Sequence, residues 1–417
     1  MDLRIEKITE QISEMIGLQN CRLHNTSLFE RPCAFGGTDI IVSCDWYPAD
    51  TDVEEEDVNL PDGAVSVDYS LRFGQITLAV AAGGTSCAMP LTADSDKTAF
   101  FKKWAEQQTG LEFGQSLTLT AAGEDGYEAI LTHGGFPLAT ESHMKIEWDA
   151  DGRLLTAIMP LLASQVFEPA VFDLTLEDVE PLVREQLTLV RLPIEEEERF
   201  ADYYAIDEVY ITQDGHVLPY DTEDQGACFP AALLTWTGEE EISDVRHPVT
   251  PFRSNLAADE AFRILAEPSE NLNSADLEEA ARSAARFLGS AVSDESGEWE
   301  LYKVYRQPGI IEAECRMVGG INGPLRRKLK LLMDVHTYEV LNYMDSYEMA
   351  RLFEGFTQPL VATVSQESAF DEMVPFITMD PVYVYHQETE RYKLCGFLDS
   401  EECVDAVTGD LKNLNDV

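Results

Sequence analysis

Basic residues are scarce in this sequence. Its 417 residues contain 29 Lys+Arg, ten of them lysines, against 77 Asp+Glu, so the formal net charge is −48. A nucleic-acid-binding chain neutralises backbone phosphates with lysine and arginine, and this balance excludes such a partner. Repulsion from anionic headgroups excludes a membrane-surface role for the same reason. Long apolar runs are also missing: no segment offers about 18 uninterrupted apolar residues. The N-terminal MDLRIEKITEQISEMIGLQ scatters charges where a leader needs an apolar stretch. The expectation is a cytoplasmic protein without a membrane span.

Catalytic and metal-binding signatures are absent as well. Eight cysteines (Cys21, Cys33, Cys44, Cys87, Cys228, Cys315, Cys395, Cys403) include no C-x-x-C pair, which leaves zinc ribbons and thioredoxin-type chemistry unsupported. In apolar contexts such as IIVSCDWY a cysteine is expected to act as a small buried hydrophobe. The nearest approach to a phosphate-binding loop, GGINGPLRRK at 319–328, has Pro324 where a lysine is required. GGTSCA at 83–88 and HGGF at 133–136 look like oxyanion loops, but no G-x-S-x-G elbow accompanies them. The seven histidines (His24, His133, His143, His216, His247, His336, His386) form no H-E-x-x-H pair. The acidic run DTDVEEED, Asp50 to Asp57, lacks the spacing of a calcium loop and reads as a solvated loop. Acid pairs are so common that they single out no glycosidase-like site, which would depend on spatial separation and contrasting pKa values. The sequence therefore assigns no catalytic, cofactor-binding or metal-ligating residue and calls for no cofactor.

What the sequence does contain is material for packed cores, 45% hydrophobic and 9% aromatic residues, arranged in a recurring order. Residues 2–16 set Ile5, Ile8, Ile12 and Met15 at helical spacing with Gly17 as a stop. The strand-like DIIVSCDWY (39–47) and a hairpin over 65–80 follow. The order returns with a helix over 94–109 carrying Phe100, Phe101, Trp104 and Ala105, ended by Gly110, then SLTLTAA, YEAILTH and a hairpin at 144–159 turning on Asp149, Asp151 and Gly152. A third round opens with an N-cap at Thr175, is interrupted by Pro181, and passes through EEEE (195–198) to a hairpin at 206–220 turning on Asp214 and Gly215. The polar stretch 238–256 reads as a linker. Beyond it lie helices at 257–267 and 274–288, the latter with Ser274 as N-cap and Gly289 as stop, then strands WELYKVY, IIEAECRMV and a hairpin at 328–344. A short helix, SYEMARLFEG, precedes strands at 381–386, 391–397 and 402–409.

This order predicts an α+β fold of about five degenerate repeats, each a helix packed on an antiparallel sheet. The expected boundaries are 1–92, 93–164 and 165–237 for the first three, 238–256 for the linker, 257–345 for the fourth and 346–417 for the last. Arg326, Arg327, Lys328 and Lys330 form one basic island, where alternation puts the lysines on the outward face of a strand. They are expected to form a solvated strand face, to pair with acids of a neighbouring repeat, or to receive an acidic partner.

The segments EWDADGRLLTAIM, LMDVHTYEVLNYM and CVDAVTGDL resemble the strand-turn-strand signature of PepSY-type and YcdB/YcdC-type repeat proteins, whose units are PepSY- or cystatin-like. The similarity is greatest over 381–411, carried by Tyr392, Leu394, Asp405, Ala406, Thr408, Gly409 and Asp410. Asp334, Thr337 and Glu339 match in the fourth repeat, with Tyr338 in place of the glycine, a residue that tolerates a left-handed backbone poorly. Read as chemistry, the motif is a turn: Asp405 and Thr408 can hydrogen-bond the local backbone while Gly409 supplies positive φ. The resemblance implies a non-enzymatic interaction module, one that binds or regulates a peptidase or another protein. The expectation is a protein partner met through sheet faces or edges. The rival readings are a hydrolase with a carboxylate pair in a cleft between repeats, and an acidic structural protein without a specific ligand.

The charge itself makes a prediction. If −48 is a repulsive coat adapted to salt, screening it stabilises the fold, and the melting temperature rises with ionic strength. A melting temperature that stays flat or falls with added sodium chloride counts against it.

Overall fold

The computed structural model describes residues 2–51, 60–91, 97–123, 125–169, 171–220, 227–237, 246–249, 252–267, 272–307, 309–318 and 326–417. Residues 52–57 of the acidic run, 94–96 of the second expected helix, 238–245 and 250–251 of the expected linker, and 319–325 of the GGINGPLRRK loop lie outside them.

Within the described residues a helix followed by four antiparallel strands occurs five times. The first repeat is α1 (Leu3–Ile16), β1 (Cys21–Pro32), β2 (Thr38–Pro48), β3 (Val65–Ser70) and β4 (Gln75–Ala81). The second is α2 (Lys97–Thr109), β5 (Leu117–Ala122), β6 (Gly126–His133), the two-residue β7 (Phe136–Pro137), β8 (His143–Trp148) and β9 (Leu154–Ile158). The third is α3 (Glu180–Gln186), β10 (Leu187–Ile194), β11 (Arg199–Ile206), β12 (Val209–Thr212) and β13 (Val217–Pro219). After β14 (Ala232–Leu234) and α4 (Ala258–Ala266), the fourth is α5 (Ser274–Ala291), β15 (Trp299–Gln307), β16 (Ile310–Met317), β17 (Lys328–Asp334) and β18 (Val340–Asp345). After α6 (Tyr347–Ala350), the fifth is α7 (Gln366–Met373), β19 (Thr378–His386), β20 (Arg391–Asp399), β21 (Glu402–Asp405) and β22 (Leu411–Asn413). The fold is α+β.

The closing hairpin identifies the repeat at the level of backbone geometry. Its turn carries a left-handed residue in all five cases: Gly74, Gly152, Gly215, Tyr338 and Gly409. In the first, second and fourth repeats a β-bulge follows three residues later, leaving Thr77, Leu155 and Leu341 without a partner in the ladder. Asp405 and Asp334 build the same turn. The Asp405 carboxylate accepts the Val407 and Thr408 N–H groups, and the Asp334 carboxylate those of His336 and Thr337. The Gly409 N–H reaches Asp405 O, and the Tyr338 N–H reaches Asp334 O, both at 2.9 Å. Tyr338 thus adopts the left-handed conformation at φ 58°, which costs a non-glycine residue roughly 1–2 kcal/mol. Its hydroxyl donates to the Asp276 carboxylate at 2.5 Å and its ring packs on the repeat's core, contacts that a glycine could not supply.

The chain divides into two compact bodies. One comprises Met1–Ala170, Phe252–Ser269 and Tyr383–Lys393; the other comprises Val171–Pro251, Glu270–Val382 and Leu394–Val417. In the first body, repeats one and two share a sheet of order β1-β2-β3-β4-β9-β8-β6-β5. Their fourth strands meet with Leu78 opposite Ile158, Ala79 opposite Ala157 and Val80 opposite Thr156, a register symmetric about the alanine pair. The β1 edge is capped by residues 253–256: the Glu30 N–H donates to Arg253 O, and the Leu256 N–H to Leu28 O. The Arg253 guanidinium grips the Glu30 carboxylate, 1% exposed, at 2.6 Å.

Repeats three and five exchange hairpins, and apart from Tyr383–Lys393 their strands belong to the second body. The two four-stranded sheets have orders β10-β11-β21-β22 and β13-β12-β20-β19, so each combines the first hairpin of one repeat with the second hairpin of the other. The registers repeat as well. Tyr203 opposes Asp405 and Tyr204 opposes Val404, while Cys395 opposes Thr212 and Gly396 opposes Ile211. The two helices enter one core, where Val183 of α3 and Ala369, Phe370 and Met373 of α7 lie with Leu187, Ile211, Leu398 and Val404. Repeat four stands on its own sheet, β14 to β18 in order. Ala280, Ala284, Phe287 and Leu288 of α5 cover Trp299, Leu301, Ala313, Leu329 and Leu331.

Several local expectations shift. The fifth repeat's helix is α7, not SYEMARLFEG, which supplies only α6 and a 3₁₀ turn over Arg351–Phe353. Eight residues gave α7 too short a periodicity to stand out, although Ser365 caps it by accepting the Ser368 N–H. Asn273, not Ser274, is the N-cap of α5, sharing a reciprocal capping box with Asp276. Gly289 does not stop that helix, which runs to Ala291; a Cβ at 289 would lie 3.1 Å from the Trp236 ring. Pro181 falls in the first turn of α3, where its missing N–H is harmless. Strands β1, β10 and β11 had no counterpart in the sequence reading.

Removing Arg253 strands a buried carboxylate, which typically costs about 3 kcal/mol or more. Arg253→Ala is therefore expected to lower the urea midpoint markedly, and adding Glu30→Ala is expected to restore most of the loss. A single variant as stable as the parent would show that the pair does not hold the β1 edge.

Candidate functional site

Alternation along β3, β4, β8 and β9 sorts side chains onto two faces of the first body's sheet. One face is dry. Val67, Ala79, Ile146 and Ala157 are at most 1% exposed there, with both helices over them: Gln11 of α1 bonds the Tyr69 hydroxyl, and Phe101 of α2 stacks on Tyr127 at 5.3 Å. The opposite face has an apolar middle at the β4–β9 junction. Leu78 is 38% and Val80 41% exposed, beside half-buried Ile158 and Thr156.

Acids flank this middle on both sides. Register places Ser66 and Asp68 of β3 against Val80 and Leu78, with Asp45 opposite Ser66 on β2. On the other flank Lys145 and Glu147 of β8 oppose Ile158 and Thr156, and Glu128 of β6 opposes Lys145. Lys145 is held by Glu147 at 2.9 Å and by Glu128 at 3.7 Å, while Ser66 donates to Asp45 at 2.5 Å. The Lys145 ammonium, with help from the Thr156 hydroxyl, holds the Glu147 carboxyl below its ordinary value of 4.5. Four carboxylates against one ammonium leave the rim acidic.

The basic island behaves differently. On the outward face of the fourth repeat's sheet, Lys330 meets Glu312 at 2.6 Å and Lys328 meets Glu314 at 3.4 Å. Arg327 meets Asp345 at 3.1 Å and Glu295 at 3.3 Å, and Arg326 donates to Met317 O at 2.7 Å. These cations are engaged by acids and a carbonyl of their own repeat. Ion pairs fill the middle of that face, with exposed Leu233 and Met344 toward its edges; the β4–β9 face is apolar in its middle.

The other singled-out residues do not converge. Asp405, Thr408, Gly409 and Asp410 lie in the last hairpin turn, Asp334, Thr337 and Glu339 in that of repeat four, and Asp149, Asp151 and Gly152 in that of repeat two. His133 stacks on Phe167 at 3.9 Å and His24 on Tyr47 at 4.1 Å, while His216 and His336 sit in turns. HGGF joins β6 to β7, and GGTSCA is a 3₁₀ turn and loop after β4. Among the described residues no three His, Cys, Asp or Glu are grouped to hold a metal ion, and no helix is long and apolar enough to cross a membrane. Asp39 is fully buried, and burial raises its pKa, but its carboxylate is fixed by the Arg72 N–H at 3.2 Å and lies 3.5 Å from the Arg31 guanidinium. Among the described residues, a cavity of about 140 Å³ between α3 and α7 holds Glu177 and Glu180, one of about 460 Å³ over α5 has Glu279 as its only acid, and one of about 270 Å³ beside His133 has no acid.

No family model matches the chain, and no curated protein matches it. Among solved structures it is similar to the Bacillus megaterium YpeB C-terminal domain, at a TM-score of 0.29 and 7% identity, covering 82% of this chain and 96% of that one. A likeness of that size carries no argument about function.

The two faces predict opposite responses. Leu78→Glu and Val80→Glu should leave stability within about 0.5 kcal/mol of the parent, as exposed substitutions do. Ala79→Glu, which puts a charge into the dry face between them, should cost several-fold more. Equal thermal shifts for the three would refute this assignment of faces. The Glu147 contribution is in place above pH 4.5, because its folded pKa lies below the unfolded one, and it is lost as pH falls through the lowered value.

Proposed function

We propose that the chain is a non-catalytic protein-binding module whose docking surface is the β4–β9 face. The observation that carries this reading is the middle of exposed Leu78 and Val80 with half-buried Ile158, inside a rim of Asp45, Asp68, Glu128 and Glu147. Desolvating the middle supplies affinity, and the rim selects the partner's charge. The complementary partner is a protein that presents apolar side chains flanked by lysine or arginine. A second copy of this chain fits poorly, because both rims are acidic and each chain carries −48.

The PepSY-type resemblance of residues 381–411 supports the same class of role, with a peptidase or its regulator among the proteins to test. A carboxylate-pair hydrolase has less support. It needs two acids in unlike environments converging on a cavity, and Glu177 and Glu180 are neighbours on one short segment, with Arg184 bound to Glu180 at 2.8 Å.

The test places a photo-crosslinking side chain at position 80, and a control at position 344 on repeat four, in cells that express the chain. The expected result is a defined protein captured from 80 and not from 344. Once purified, its affinity should fall at least about tenfold with Leu78→Glu plus Val80→Glu, and should fall with added salt. A purified partner indifferent to both substitutions overturns the surface, and turnover of a small substrate overturns the class.

A further inference from the structure

Two of the eight cysteines are in contact. Cys21 opens β1 just after the α1 corner, where its N–H donates to Leu18 O at 2.9 Å. Cys87 lies in the loop after β4, anchored by its own N–H on Gly63 O at 2.8 Å and by the Met89 N–H on Gly17 O at 2.7 Å. The Cys21 thiol donates to the Cys87 carbonyl at 3.1 Å, which sets the two residues side by side. Both are half-buried, as is Cys228, whereas Cys33, Cys44, Cys315, Cys395 and Cys403 are buried.

We infer that Cys21 and Cys87 form a redox-active dithiol, which a low-molecular-weight disulfide converts to an intramolecular disulfide. Cys87 is the attacking group. The Cys21 thiol stabilises its thiolate and lowers its pKa, whereas Cys21 itself is pushed up by the same contact. The Cys87 thiolate, its proton released, attacks RS–SR. A Cys87–S–S–R bond forms, the reagent's S–S bond breaks, and RS⁻ leaves and takes up a proton. The charge beside Cys21 is then gone, so Cys21 loses its proton and attacks the Cys87 sulfur. The Cys21–Cys87 bond forms and the second RS⁻ departs to become RSH. Two protein thiols are oxidised and one RSSR is reduced to two RSH.

Burial acts against three of the other thiols, pushing Cys44 and Cys315 up to about 12 and Cys403 up to about 11, which disfavours their thiolates. The new bond joins residues 66 apart in sequence, which encloses β1 to β4, and it fixes the α1 corner to the loop that leaves β4. Closing so long a loop restricts the unfolded chain and raises stability.

The test treats the full chain with oxidised glutathione at neutral pH without denaturant. The expected results are an intact mass lower by two hydrogens, a Cys21–Cys87 link in the non-reducing peptide map, and a melting temperature higher by several degrees, reversed by dithiothreitol. Cys21→Ser should trap glutathione on Cys87, and Cys87→Ser should take up none at position 21. Stable glutathione adducts on the parent without the link, a link through another cysteine, or thiols that react only after unfolding would each overturn the inference. The parent's mass and peptide map stand even if a serine variant folds poorly.

Discussion

A four-stranded antiparallel sheet ends in two rows of unpaired N–H and C=O groups, and the need to cover those edges arranges the repeats. Repeats one and two cover theirs by joining fourth strand to fourth strand across Ala79 and Ala157. Repeats three and five exchange hairpins, so that β21 completes the sheet begun by β10 and β11, while β12 pairs with β20. Repeat four takes in a neighbouring segment, the His247 N–H donating to Leu341 O. The bulge contributes to these joins. It turns a carbonyl out of the ladder at Leu341, which serves His247, and at Thr77, which accepts the Met159 N–H.

Covering edges leaves faces, and the faces differ for electrostatic reasons. On repeat four, a scarce cation stands near each outward acid of the ladder: Lys330 by Glu312, Lys328 by Glu314, and Arg316 by Glu300 at 2.5 Å. With 29 cations for 77 acids, few sheets can be satisfied in this way. The β4–β9 junction, where Lys145 is the one cation among the described residues of the rim, is instead apolar at its centre. The charge seen first as an exclusion thus also distinguishes the faces.

Much of the fold was legible from local patterns. Helix periodicity at Ile5 and Ile12, alternation in KLKLLMD, and the Asp405–Gly409 turn each depend on residues within a few positions of one another, and the structure places them accordingly. The left-handed Tyr338 showed where local rules stop. Its turn survives because its hydroxyl reaches Asp276, 62 residues away, which the turn's own sequence does not reveal. The polar β1 and the short α7 escaped notice because their stability comes from neighbours: β1 from β2 and residues 253–256, and α7 from a core it shares with α3.

The candidate surface was not legible at all. Leu78, Val80 and Ile158 are ordinary strand residues, and only the pairing of β4 with β9 sets them side by side. The same holds for Cys21 and Cys87. The sequence by itself determined the repeated helix-and-strand unit, its closing turn and its acidic coat, because periodicity, turn chemistry and charge are short-range properties. Which strand edges join, which hairpins exchange, and therefore which side chains meet on a face or as a thiol pair was decided by the tertiary structure. Those contacts form between segments tens to hundreds of residues apart, and no local pattern encodes them.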